Sequence, residues 1–403
     1  MIPVNFTDLP LTPLVDETDD GKKEVFVPTI KAAFSIGQDG TLTPLPMDEQ
    51  PDIAGFIFYE DDLGKGPRYD DDMVAWKPNV DVIFNAVCHP PGKRAVSACR
   101  VAVGIEGLFR KELLVRAPRV WQQDHMGEWY AAELEALGPT PMRWEYSFGG
   151  VETMSNPVGI GLGQDLTSDP EDPVYSLPRI EDPHNQIKTV NDSPDPVNFA
   201  PIPPFWDQRS QKLGTRGLRW HAFTKPKPPA DYDPSFMNAA PDDQQVQELR
   251  GFETIRLENL HPEHPVFRMR LPDIRPRVFY VLDGDEARTL HDLPMRLDTV
   301  RVDMEAEQVT LLWRGYWEHD FEDLNQAIDY LHIVAEPASQ PKKPAENYHP
   351  AFIEAIPPYE EALKAAKITS EDIENDYMSA IKEKIVAEQK KEGMPESDIA
   401  RIE

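Results

Sequence analysis

The chain has 403 residues, with 41 basic against 71 acidic side chains and a formal charge of −30. Such a surface repels phosphate backbones and anionic lipid, so nucleic acid and membrane are excluded as expected partners, and proteins with basic patches are favoured. Hydrophobic residues at 40% suffice for packed cores, while 41 prolines argue against a helical bundle, because proline lacks the amide hydrogen that helix interiors and central strands use.

Taken in chain order, the first residues (Met1 to Phe6) show no basic stretch followed by an apolar run. No segment approaches the ~18 apolar residues of a membrane span, so a cytoplasmic location is expected. Residues 24–36 are branched and aromatic and predict a strand, which Gln38-Asp39-Gly40 turns into a second one near Thr41. Residues 80–87, 97–104 and 108–115 predict further strands, the last two as a hairpin. Cys88 and Cys99 sit within such apolar stretches and read as small buried hydrophobes rather than as a disulfide or zinc site. Length exceeds what one core usually supports. Residues 1–127 are therefore expected to form an N-terminal β domain, sandwich- or barrel-like.

Residues 128–137 predict a few helical turns stopped by Gly138-Pro139, and 142–148 a strand entering Gly149-Gly150. Residues 156–205 are rich in Pro, Asp, Asn and Gly and lack a period, which marks a long functional or disordered loop. Strands return at 253–257, 266–271, 277–282, 295–303 and 309–314, with Asp283-Gly284 as a turn signal. Residues 128–340 thus make a second β region, and 341–403 a linker and tail. In the tail, Thr369-Ser370-Glu371-Asp372 looks like a helix start, and Ile373, Tyr377, Ile381 and Ile385 form one apolar stripe. The predicted fold class is mainly β: two packed antiparallel regions joined by a long Pro-rich loop, plus a C-terminal helical extension.

Each candidate chemistry meets a simpler reading. Gly159-Ile160-Gly161-Leu162-Gly163 lacks dinucleotide-loop spacing and a P-loop lysine, so it reads as a turn. His261-Pro-Glu-His264 has proline inside and after it, which breaks the helix that metal binding would use. The acid runs 60–62 and 70–72 lack calcium-loop spacing and read as solvated loop faces, with Asp72 set apart. No metal, cofactor or catalytic centre is expected.

A sharper signal combines Asp231-Tyr232-Asp233-Pro234, the run from Phe236 through Asn238 and Pro241 to Asp243 and Gln244, and Gly251-Phe252-Glu253. Asp and Asn beside proline bond nearby backbone, so these segments predict stiff loops pinned by an aromatic anchor. In motif order the chain resembles the family catalogued as domain of unknown function 2169. Phe148-Gly149-Gly150 with Asn156-Pro157-Val158-Gly159 resembles its FGG…NPVG element. Pro201, Trp206 and Arg209 match a second segment; Asp231, Asp233, Asn238, Pro241, Asp243 and Gln244 match a third. Gly251-x-Glu253, Arg296-Leu297-Asp298 and Trp313-Arg314 follow in order, and Asp72, Lys77-Pro78, Asp81 and Arg119-x-Trp121 match in the first half. The resemblance covers about residues 20–336. Asp242 departs from it, standing where the family has proline.

The resemblance implies a cytoplasmic adaptor or chaperone of a type VI secretion system. It would bind an effector protein and help load it onto a spike protein of the VgrG/PAAR type. Most motif residues are expected to be structural, with Arg296 and Asp298, and Arg314 beside Trp313, fixing strand register. Phe205, Trp206 and the loop around Asn238 are the expected partner surface. A second reading is a carboxylate-dependent hydrolase or carbohydrate-active enzyme using Asp231 and Asp233, which on a strand would share a face at roughly 7 Å. A third is a structural component of the secretion machine.

Overall fold

The computed structural model describes residues 1–17, 23–92, 95–161, 174–216, 228–321 and 323–348. The chain divides into a body, Met1–Lys343, and a second unit, Pro344–Glu403. The described part of the second unit holds one 3-10 turn, Ala345–Asn347, opened by Pro344. The helix expected over 369–385 lies outside the described residues.

The body is mainly β. Its principal strands are β1 (Ile2–Asn5), β2 (Leu11–Glu17), β3 (Glu24–Ile36), β4 (Val80–Asn85), β5 (Ala98–Ile105), β6 (Phe109–Arg116), β7 (Thr254–Glu258), β8 (Val266–Arg270), β9 (Ile274–Leu282), β10 (Met295–Asp303), β11 (Gln308–Gly315) and β12 (Ile328–Pro337). The largest sheet runs Gln245–Val246, β4, β10, β11, β3, β2, with Leu42–Pro44 and Trp317–His319 also pairing β3. Within it only β4 and β10 are parallel. A five-stranded antiparallel sheet runs Ile180–Glu181, β6, β5, β7, β8. A four-stranded sheet runs β1, β12, β9, His291–Leu293.

One apolar core serves all three sheets. It joins Val82, Phe84, Val300 and Leu311 of the first to Val103, Leu113 and Leu257 of the second and Val278, Leu331 and Ile333 of the third. Burying each such side chain contributes roughly 1.5–3 kcal/mol. The expected boundary at residue 127 does not separate these sheets. In the largest, β4 from the first half pairs with β10, and β3 with β11; in the second, β5 pairs with β7. Neither half could bury its strands alone, so the chain interleaves them in one body.

Two local expectations also change. Residues 128–137 do not form helical turns: Trp129–Glu133 is a strand paired with Arg119–Gln123. The Asp124 carboxylate accepts the amides of Met126 and Glu128, Gly127 takes φ 79°, and Trp129 packs on Tyr175 at 5.3 Å. A turn of that chemistry makes a hairpin and outweighs local helix propensity. Residues 144–146 form a 3-10 turn rather than a strand, because Trp144 turns inward onto Trp206 and donates to the Pro201 carbonyl at 2.8 Å. The long 156–205 segment supplies edge strands, Tyr175–Ser176 and Ile180–Glu181, within its described part.

Prolines are placed by the same physics. Pro13 and Pro28 face each other in register on β2 and β3, beyond the last β11 pair at Thr29, so neither removes a bond from the sheet interior.

Candidate functional site

Successive strand residues point to opposite faces. In β4, Val80, Val82 and Phe84 enter the core, while Asp81 and Ile83 point to the other side of the sheet. The same alternation sends Lys31 of β3, Thr299 and Arg301 of β10, and Arg314 of β11 to that second face, and the register irregularity between Leu297 and Thr299 puts Asp298 there beside Thr299. Segments around 45–78, 199–210 and 234–244 cover it, so all of these polar groups are buried. An isolated charge there would cost several kcal/mol, and pairing is what makes the burial tolerable.

The pairing is dense. Lys77, with no exposed side-chain surface, reaches Asp81 at 2.7 Å, the Thr299 hydroxyl at 3.1 Å and Asp70 at 3.5 Å. The other oxygen of Asp70 meets Arg209 at 3.2 Å. Arg209 also donates to the carbonyls of Ile202 (2.7 Å) and Phe236 (3.0 Å). Asp72 lies 2.7 Å from Lys31 on one oxygen and 2.7 Å from Arg301 on the other, the latter an ion pair without hydrogen-bond alignment. Burial acts to raise the Asp72 carboxyl, but Arg301 and Lys31 outweigh it and hold it below the ordinary value. Arg314 grips both oxygens of Asp298 and donates to the Asp72 carbonyl at 2.7 Å.

The cover is stitched to this network by the 231–244 motif. Asn238 donates to Asp81 at 2.9 Å and to the Asn79 carbonyl at 2.8 Å, and the amides of Ala239 and Ala240 donate to the same carboxylate. Pro241 is buried and its carbonyl accepts the Gln244 amide; Gln244 in turn donates to the carbonyls of Val82 and Phe199, both at 2.9 Å. Asp243 reaches the buried Lys111 at 2.8 Å. Burial pulls the Lys111 ammonium below its ordinary value, and Asp243 opposes that pull.

The FGG…NPVG residues form a backbone crossover. Asn156 donates its amide to the carbonyls of Trp144 and Phe148, and its own carbonyl accepts the amides of Gly150 and Gly159. A Cβ on Gly149 would lie 2.1 Å from the Asn156 carbonyl oxygen, and one on Gly159 2.3 Å from the Asn156 amide nitrogen. Only glycine fits there. Pro157 lies in the same turn, and Phe148 packs with Trp121, Leu177 and Ile187.

Several expectations shift in detail. Arg296 does not pair with Asp298. Arg314 takes both oxygens of Asp298, and Arg296 donates instead to the carbonyls of Lys77, Pro78 and Gln247. Asp70, read as part of a solvated acid run, is buried, because Lys77 and Arg209 draw it inward. Asn238 and Trp206 are buried, so of the expected partner surface Phe205 stays outside together with Asp233, Pro234, Asp242 and Asp243 of the loop around Asn238. Trp206 packs edge-on against Trp144 at 5.3 Å, and Trp313 joins the shared core. Asp231 accepts from the Thr215 amide and hydroxyl, and Asp233 caps the Pro234–Met237 turn through Ser235. Those bonds hold both carboxyls below the ordinary value. Sequence reasoning missed Lys31, Arg301 and Lys111; for Lys31, a lone charge inside an otherwise apolar strand run was the signal available.

Residues 21–314 match the family model described as "Uncharacterized protein conserved in bacteria (DUF2169)". The chain belongs to this family. No curated protein and no solved structure is detectably similar to it. The match ends at Arg314, whose guanidinium closes the buried network of this DUF2169 member. Among the described residues, no helix is long and apolar enough to cross a membrane, and no cluster of three or more His, Cys, Asp or Glu is placed to hold a metal ion.

Outside the cover, Phe205 is 54% exposed and stacks on Phe58, with ring centres 6.5 Å apart; Phe58 lies 6.5 Å from Phe56. The Asp207 amide binds the Met154 carbonyl, which sets the exposed Met154 and Val151 turn beside Phe205. An apolar rim thus sits on a cover that is bolted from within.

Proposed function

We propose that this DUF2169 member is a cytoplasmic adaptor or chaperone of a type VI secretion system, binding an effector and helping to load it onto the spike. The observation that carries this reading is the exposed Phe205 rim on a rigid cover. Exposed aromatics on pre-organised loops are the usual anchors of protein interfaces, because little side-chain entropy remains to be lost on binding. The −30 charge adds long-range attraction for a partner with basic patches. The polar motif residues support the same reading, since they brace the cover and are engaged with protein groups. The hydrolase reading drew on Asp231 and Asp233, and both carboxylates serve as turn acceptors.

The test is co-expression of the tagged chain with the effector and spike proteins encoded beside its gene. Capture of one of them, with Phe205→Asp reducing it about tenfold or more at unchanged thermal stability, is the expected result. If no neighbour-encoded protein forms a complex under conditions where both fold, the reading is lost.

A further inference from the structure

Three of the singled-out sequence elements, Gly251-Phe252-Glu253, Arg296-Leu297-Asp298 and Trp313-Arg314, meet at a cleft elsewhere on the body, which Phe252, Arg296, Leu297 and Trp313 line. Its floor is apolar: Leu249, Met295, Leu297 and Trp313. Its rim carries Arg250, Arg275, Arg296 and Lys342, against Glu248 as the lining acid. Glu253 shapes that rim. Its carboxylate accepts the consecutive amides of Arg250 (2.7 Å), Gly251 (2.9 Å) and Phe252 (3.1 Å), and Gly251 takes φ 97°, which a side chain would oppose. The Gly-x-Glu element is thus a device for holding Arg250 and Phe252 at the cleft edge.

The charge of the rim is available. Arg275 is paired with Glu336 at 2.8 Å. Arg296 donates only to neutral carbonyls, and among the described residues no carboxylate pairs with Arg250, Arg296 or Lys342. In a chain of net −30 such a concentration of unmatched cations is local, and at physiological salt the Debye length of about 8 Å keeps distant acids from cancelling it. A nucleic acid or anionic membrane would extend past the cleft and meet the acidic remainder of the surface. A short segment would not. The apolar floor also asks for aliphatic or aromatic anchors rather than a bare anion.

We propose that this cleft seats an acidic, apolar-anchored segment of a partner polypeptide, making it a second docking surface beside the Phe205 rim. The identity of the partner rests on the adaptor reading; the chemistry of the cleft does not. The probe is a fluorescein-labelled synthetic peptide pairing a leucine stripe with glutamates, compared by anisotropy with its lysine-for-glutamate counterpart, on the full chain. The glutamate peptide should bind saturably, at least about tenfold tighter than the lysine peptide, and more weakly as salt is raised. Arg250→Glu with Lys342→Glu should weaken it about tenfold or more, while Arg268→Glu, on β8, should change it less than about twofold. Both reversed side chains are exposed, so folding is undisturbed and circular dichroism confirms it.

Equal binding of the two peptides, no saturation, or an affinity indifferent to the double reversal overturns the proposal. So does a homodimer in light scattering that the double reversal dissolves, since that assigns the cleft to a second copy. Loss of peptide binding with effector capture intact removes only the cleft. Loss of capture with peptide binding intact removes only the adaptor reading.

Discussion

Lys77→Met tests whether the network beneath the cover holds by charge compensation. The methionine keeps most of the stem volume, so packing changes little. What is lost is the cation 2.7 Å from Asp81, in a place where neither side chain is exposed. Removing one member of a buried pair costs roughly 3–5 kcal/mol, because the other charge stays desolvated. For a cooperative body spanning Met1–Lys343, an unfolding entropy of about 2.1 cal/mol/K per residue amounts to ~0.7 kcal/mol/K, so the melting temperature should fall by about 4–7 °C. Asp81→Asn alone leaves Lys77 with the longer 3.5 Å pairing to Asp70 and disturbs the bonds from Ala239 and Ala240, at a comparable cost. With both changes no stranded charge remains, so the losses should fall short of their sum by about 2 kcal/mol. Urea unfolding of all four proteins, followed by circular dichroism, measures the cycle. A loss below about 1 kcal/mol for Lys77→Met, or additivity within about 0.5 kcal/mol, refutes the compensation argument.

Adjacent aromatics should separate function from stability: Trp206→Ala should cost roughly 3–5 kcal/mol in urea unfolding, and Phe205→Ala less than about 1 kcal/mol. Gly149→Ala should destabilise strongly, since the new Cβ would meet a backbone carbonyl at 2.1 Å; a wild-type melting curve would contradict the crossover geometry. His332 is fully buried beside Phe6 and Tyr330, and burial, with Arg288 nearby, holds its pKa down to about 4. Its unfolded value is near 6.5, so the stability tied to the neutral ring is complete above that pH and lost as pH falls toward 4. His332→Phe should flatten the pH dependence of the urea midpoint in that window, and an unchanged slope would count against the assignment.

Strand content was legible because both period-2 alternation and turn chemistry act over a few residues. Residues 24–36, 295–303 and 309–314 were read within a residue or two of β3, β10 and β11. The motif order was equally local, and it sufficed to name the family. The site was legible only as a set of residue types. Asp72, Lys77, Asp81, Arg209, Asn238, Asp298 and Arg314 were all marked, yet nothing in their spacing says that they converge on one sheet face. That convergence needs β4 to pair with β10 more than two hundred residues later.

What the sequence determined by itself was therefore the β character, the turns, the acidity of the surface and the family. Tertiary structure decided the rest: that 1–127 and 128–340 share sheets, that residues 128–137 make a hairpin arm, and which charges face inward. It also placed Phe205 in solvent and Trp206, one residue on, against Trp144. Local propensity sees single residues and their near neighbours. Burial and charge pairing are settled only when distant strands meet, and in this chain nearly every pairing that matters is distant.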